Sequence, residues 1–253
     1  MSALSDILGW SGPVGWELVS GRAPAGIAVS VAFALAARLL RSVSLGGAFA
    51  GAAVTFLFWI AWPPLFIVEF AVFLLTAAAT RAGYHRKQQL GTAERHGGRS
   101  ASQVLANLTV AAVTALLATD LHQPLWMFAS AAALAEAAAD TLSSEMGQAF
   151  GDEPLLITTL RSVPVGTDGG VSGPGTMAGI AAALVVAGVA VLVRVVPGYG
   201  FAITAVAAIT GMLFDSVLGA TLERARLLSN DQVNFTSTLF AAAVALLLAS
   251  LWL

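Results

Sequence analysis

Three groups of residues in this sequence have the types and spacing for chemistry. The first is the run Glu136-Ala-Ala-Ala-Asp140-Thr141-Leu-Ser143-Ser144-Glu145. Residues four apart stack on a helix, so Glu136 and Asp140 share a face. Glu145 lies about 140° round from Asp140 and joins that face only if the helix has ended or a ligand approaches from its own side. Small residues between acids let neighbouring helices come close. Such carboxylates suit Mg²⁺, a hard cation that takes oxygen ligands and keeps waters and phosphate oxygens in its shell. The plainer reading is a polar helix packed on other polar helices. Asp215-Ser216 echoes Asp140-Thr141 further along the chain.

The second group is the stretch from Thr158 to Thr176. It carries Thr158, Thr159, Arg161, Gly166, Thr167, Asp168, Gly169, Gly170 and Ser172, with five glycines between 166 and 175. Glycine lets backbone N–H groups approach an anion, and the N-terminus of a following helix adds unpaired donors. Arg161 adds a guanidinium able to take phosphate oxygens in pairs. The stretch has no GxxxxGK[ST], so it is not a Walker A loop, and connectors between membrane helices are often glycine-rich in any case. The third group is amide-rich. Arg99, Gln103 and Asn107 recur every four residues, and Asn230, Asp231, Gln232 and Asn234 cluster before the last apolar block. Amides here either orient a phosphate or hold helices together. The Gln232-Val233 pair echoes Gln103-Val104, a faint sign of an internal repeat.

The elements that must position these groups follow from composition. Of 253 residues, 58% are apolar and 10% charged, against about 25% charged in a soluble domain. That charge cannot cover a water-soluble globule. The apolar residues fall in blocks near 24–40, 45–62, 64–80, 104–119, 124–142, 176–196, 200–219 and 235–253, long enough to cross about 30 Å of hydrocarbon. The chain therefore reads as an all-α, polytopic integral-membrane helical bundle of seven to eight transmembrane helices. Residues 1–22 read as an interfacial segment, without the basic start and compact apolar core of a signal peptide. Residues 23–253 form one integral-membrane domain with loops 81–103, 143–175 and 220–234. Zero cysteines exclude disulfides, thiolate metal sites and a cysteine nucleophile.

With the N-terminus outside, ten of the twelve Lys and Arg residues fall on one side, leaving only Arg22 and Arg194 opposite. The positive-inside rule makes that side cytoplasmic, placing the site at the inner face of the cell membrane. Acids inside membrane helices cost about 2.5–3.5 kcal/mol on insertion scales and are functional candidates by default. Asp140 and Asp215 fall near helix ends on the basic side. Glu69 stands alone and reads as a lone acid hydrogen-bonded within the bundle. The basic stretch 81–99 suits anionic headgroups or a polyphosphate. His85, His96 and His122 lack zinc spacing, no Ser-His-Asp arrangement stands out, and nothing supports nucleic-acid binding.

The strings Arg99-Ser-Ala-Ser-Gln103-Val-Leu-Ala-Asn107, Ala-Asp140-Thr141-Leu-Ser-Ser-Glu145-Met-Gly147, Val-Pro164-Val-Gly166-Thr167-Asp168-Gly169-Gly170-Val-Ser172, Phe-Asp215-Ser216-Val-Leu-Gly219 and Asn230-Asp-Gln-Val-Asn234-Phe resemble the integral-membrane family DUF92. That family includes plant and cyanobacterial phytyl-phosphate kinases of tocopherol salvage. The resemblance spans about residues 25–253 and departs at Asp231, where the family pattern implies asparagine. It implies phosphorylation of a prenyl monophosphate, phytyl or geranylgeranyl, to the diphosphate by a nucleoside triphosphate (CTP or another) and Mg²⁺. The residues agree with such a reaction. Asp140, Asp215, Glu145 and Asp168 are the candidates to organise Mg²⁺. Arg99, Arg161 and the glycine loop are the candidates to hold phosphates, with Gln103, Asn107, Asn230 and Asn234 orienting them. The rivals are another lipid phosphoryl or nucleotidyl transferase (a lipid-alcohol kinase or CDP-lipid synthase), a transporter with an acid relay, and a purely structural membrane protein.

Overall fold

Alternating blocks of apolar residues and breakers become helices joined by turns. The structure is a computed structural model that describes residues 16–93 and 97–252. Among them are nine α-helices: α1 Trp16–Leu39, α2 Leu45–Ala61, α3 Leu65–Arg81, α4 Tyr84–Leu90, α5 Ala101–Asp120, α6 Leu125–Phe150, α7 Gly173–Leu192, α8 Gly200–Leu218 and α9 Asn230–Ser250. A five-residue π-helical segment, Gly219–Glu223, prolongs α8. Eight helices occupy the eight apolar blocks read from the sequence, and α4 forms within the basic stretch. Of the expected interfacial segment, residues 1–15 lie outside the described residues, while 16–22 begin α1.

Five helical stretches are long and apolar enough to span a bilayer unaided, at 19–39, 101–120, 173–192, 200–223 and 230–250. Helices α3 and α4 make a sixth if taken as one span broken by a 62° bend. The bend falls at Gly83, whose φ of 60° is open to glycine. Helix α2, with 17 residues, is apolar but shorter. Helix α6, with 26 residues, carries Glu136, Asp140 and Glu145 and is the axis of the bundle. Every residue from Met127 to Ala139 is buried, and α3, α5, α7, α8 and α9 all pack against it. Lipid tails are as apolar as leucine, so close van der Waals contact between small residues holds such helices together. The alanines of α6 supply that contact. A helix walled off from lipid on all sides can also carry acids that a lipid-facing helix could not.

The caps sort the two ends of the bundle. Ser44, Ser100, Ser172 and Ser229 cap α2, α5, α7 and α9 by accepting a backbone N–H three residues on, each worth about 1 kcal/mol. All four lie at the end bearing the long loops. At the opposite end, α3 and α6 start after Pro64 and Pro124, whose fixed φ suits a helix start.

Two departures from the sequence expectation shape the site. Helix α6 does not end near residue 142 but runs to Phe150, so 143–150 are helical rather than loop. Beyond it, 151–172 folds back on itself. Strand β1 (Leu155–Leu156) pairs antiparallel with β2 (Gly170–Val171), with Leu155 opposite Val171 and Leu156 opposite Gly170. The turn within this flap is tight: Leu160 N–H donates to Leu156 O, and Leu156 N–H to Arg161 O.

Candidate functional site

The loop-bearing end holds a polar cavity of about 310 Å³. Helix α6 contributes Asp140, Thr141, Ser143, Ser144, Glu145 and Gln148. Helix α5 contributes Gln103 and Asn107, just after Arg99, and α8 contributes Asp215 and Ser216. The flap adds Gly166, Thr167, Asp168, Gly169, Gly170 and Ser172, and α9 adds Asn230 and Asn234. Groups scattered over some 130 positions of sequence thus line one space.

At its centre, the carboxyl groups of Asp140 and Asp215 lie within hydrogen-bonding reach of each other. Two carboxylates this close repel unless a proton or cation lies between them. Ser237 on α9 donates to Asp215 Oδ2 at 3.0 Å, and Arg99 interacts electrostatically with Asp140 while its Nη2 donates to Thr141 Oγ1 at 3.4 Å. Glu136, one turn deeper on α6, is buried against the same pair; its Oε1 has no hydrogen-bond partner among the described residues. Glu69, the lone acid, accepts from Thr55 at 2.9 Å inside the bundle.

The flap closes one side. Gly169, at φ 73°, sits where a Cβ would overlap the backbone of Ala220 in the π segment, and a Cβ on Gly166, at φ 85°, would overlap Thr92. Backbone therefore touches backbone between the flap and the end of α8, as only glycine permits. Ser172 starts α7 beside the cavity, its hydroxyl accepting from Gly175 N–H.

The same fold turns some expected residues away. Thr158, Thr159 and Arg161 do not line the cavity and are exposed, because the tight turn from Leu156 to Arg161 carries them outward on the far side of the flap. Arg161 therefore does not meet a phosphate held beside Asp140 in this arrangement. Glu145 reaches the rim, but its carboxylate is bound to Lys87 Nζ at 2.5 Å. Lys87 is buried and also donates to Ala79 O and Thr80 O, neutralising the last carbonyls of α3. Arg86 clasps Gly151 O and Asp152, and Arg81 clasps Leu40 O and Ser42. These cations of the basic stretch tie loops together and do not stand ready for a polyphosphate. Arg95 and His96 lie outside the described residues. Gln103 lines the cavity, yet its Oε1 accepts the Ser100 N–H of a capping box, leaving its NH₂ for a ligand.

One acid escaped the sequence reading. Glu223, at the end of the π segment, lines the cavity and interacts electrostatically with Asp168 and Asp215. The spacing Asp215, Gly219, Glu223 repeats every four residues and is the signal that finds it. Single π turns of this kind are frequent at functional sites.

The charge balance bears on what can bind. Among the described lining residues, Asp140, Glu145, Asp168, Asp215 and Glu223 face one cation, Arg99, and only Glu145 is matched by an ammonium. No three acidic or imidazole side chains among the described residues converge as a ready-made metal cage. Mg²⁺ rarely uses one: it takes one or two carboxylates and completes its shell with water and substrate phosphates. The Asp140–Asp215 pair fits that use.

Comparison with known proteins adds to this geometry. The family described as integral membrane protein DUF92 matches residues 28–242. An uncharacterised membrane protein of the cyanobacterium Synechocystis is 36% identical over 186 residues, 72% of each chain. An uncharacterised membrane protein of the archaeon Methanocaldococcus jannaschii is 32% identical over 183 residues, 72% of this chain and 75% of the relative. The chloroplast protein VTE6 of Arabidopsis thaliana is 30% identical over 192 residues, 72% of this chain but 58% of that longer protein. No solved structure matches the chain.

Proposed function

Because the chain belongs to the integral-membrane family DUF92, we propose that it is a phosphotransferase working on a prenyl monophosphate, phytyl or geranylgeranyl. A non-bridging oxygen of the lipid monophosphate attacks the γ-phosphorus of a nucleoside triphosphate. The bond from that phosphorus to the β–γ bridging oxygen breaks, the nucleoside diphosphate leaves, and the lipid carries the new P–O–P linkage. The acceptor is already an anion, so the reaction asks for positioning and neutralisation of charge rather than for a general base.

The observation that carries the reading is the acid-rich cavity at the loop-bearing end, in which Asp140 and Asp215 touch and the glycine flap and the start of α7 adjoin. A polyphosphate enters so acidic a space only with divalent cation. Mg²⁺ held by Asp140 and Asp215, with Asp168 or Glu223 at hand, supplies charge neutralisation when bound. Arg99 holds an acceptor or transferring phosphate, and the N–H groups of the flap and of α7 surround the triphosphate. Asn107, Asn230, Asn234 and the free amide of Gln103 orient the oxygens. The excess of Lys and Arg at this end supports a cytoplasmic orientation, the side on which nucleotide is found. A transporter is the weaker reading, because ion sites of transporters favour the mid-bilayer, whereas Asp140 and Asp215 share a cavity with the loops.

The test incubates the purified protein with Mg²⁺, each of four labelled nucleoside triphosphates, and phytyl or geranylgeranyl phosphate. Lipid diphosphate is the expected product. A nucleotide-linked lipid with released pyrophosphate would make the protein a nucleotidyl transferase, and no transfer by folded protein would end the kinase reading.

A further inference from the structure

A lipid acceptor and a nucleotide reach a common site from different phases, and three adjoining cavities give them separate ways in. The polar cavity is one. The second is a groove of about 430 Å³ between the ends of α1 and α3, bordered by the α4 elbow. Its walls include Leu40, Phe73 and Ala77, and its rim carries Arg41 and Arg81. The third is a narrow apolar slot of about 80 Å³ that shares Phe73 and Thr76 with the groove and Gln103 and Asn107 with the polar cavity. Arg99 lines all three.

The groove is placed for a lipid. On the adjoining helix, Leu35 and Leu39 are 59% and 82% exposed, as side chains facing acyl tails would be. The seam between α1 and α3 is closed by rings, with Phe33 edge-on to Phe66, Phe70 and Phe73 at centroid separations of 5.1–6.0 Å. Rings can swing without breaking backbone hydrogen bonds. The charge is equally placed. Arg81 spends donors on Ala77 O, Leu40 O and Ser42. Arg41 is exposed at the mouth, and its guanidinium donates to no protein acceptor among the described residues. An apolar trough with the Arg41 guanidinium at its mouth is complementary to a hydrocarbon chain ending in a phosphate.

We propose that the α1–α3 groove is the lateral doorway for the phosphorylated lipid, its tail lying against Leu40, Phe73 and Ala77 and its phosphate passing from Arg41 to Arg99, which faces the nucleotide cavity. This rests on the reading of the acceptor as a lipid monophosphate, and it separates lipid recognition (α1, α3) from nucleotide recognition (α6 to α9).

The test uses the full chain in nanodiscs with a diazirine-bearing geranylgeranyl monophosphate, mapping labelled peptides after illumination. Labelling within 40–42 and 73–84, competed by unlabelled lipid phosphate and lost in Ala77→Trp, is the expected result. In steady state, Ala77→Trp raises KM for the lipid phosphate about tenfold or more, since an indole overfills the trough. The KM for the nucleotide stays within about twofold in the same variant, the two compartments being separate. Should Ala77→Trp fail to fold, Arg41→Asn serves: the Arg41 backbone is left-handed at φ 55°, which asparagine tolerates, and loss of one surface cation raises the lipid KM about fivefold. Labelling that falls elsewhere, on α8 and α9 for example, overturns the doorway even if diphosphate forms. Groove labelling without diphosphate keeps the doorway and removes the kinase reading.

Discussion

The two ends of this bundle are built by different rules. At one end the connections are brief: 62–64, 121–124 and 193–199. Proline starts two helices there, Arg22 donates to the last carbonyls of α2 at 2.8 and 3.2 Å, and Phe128, Tyr199 and Trp252 stack in a row. At the other end four serine caps satisfy the helix starts locally, so side chains such as Asp140, Asp215 and Asn234 are left facing a cavity. The difference teaches where to look for chemistry in a membrane bundle: at the end whose helix starts are capped by small local residues, because there polar groups such as Asp140 and Asn234 line a cavity.

That contrast can be broken by mutation. The largest effect is expected from Asp140→Asn or Asp215→Asn, each lowering kcat about 10³-fold or more while leaving the unfolding midpoint in detergent near that of the parent; full activity in either variant would remove that residue from the site. Next is Lys87→Met, which leaves Glu145 and the end of α3 without their cation. It should cost about 3 kcal/mol, in the range for removing one partner of a buried pair, read as a lower SDS-unfolding midpoint. Gly169→Ala forces the flap off the π segment and should lower kcat/KM for the nucleotide about 10–100-fold, with the helical circular dichroism unchanged. Arg22→Gln, at the opposite end, should cost about 1 kcal/mol of stability and leave both KM values alone. The smallest effect sharpens the map of the flap: Arg161→Ala should keep kcat/KM within about twofold, and a hundredfold loss would mean that the turn from Leu156 to Arg161 folds inward on substrate.

Much of the helix order was legible because a bilayer imposes length and apolarity on each crossing, and the breakers Pro63-Pro64, Pro124 and Pro197 mark the turns. The acids of α6 and α8 and the glycine loop were legible as neighbours because topology places the ends of these helices at one face. Three things were not. The extension of α6 through Ser143, Ser144 and Gln148 is polar, and polarity reads as loop, although Ser143 and Gly147 pack beside the start of α7. The outward course of Thr158 to Arg161 depends on a two-residue strand pair, too short to leave a periodic signal. Lys87 sits in a run of cations that reads as surface, whereas its burial comes from a distant partner, Glu145. The echo of Gln103-Val104 in Gln232-Val233 also has a local cause. Each glutamine is the third helical residue of a Ser-x-x-Gln capping box, and two helices that need the same cap select the same residues.

The enclosure of α6 also constrains how the chain is made. With Glu136 and Asp140 along its length, this segment pays several kcal/mol to stand alone in lipid, and three of the helices that wall it in, α7, α8 and α9, are synthesised after it. During biogenesis it must therefore wait beside α5, its hairpin partner across the turn at 121–124, until the last three crossings arrive. Translation that stops before α9 would leave Asp215 without the Ser237 hydroxyl and α6 without one wall of its enclosure.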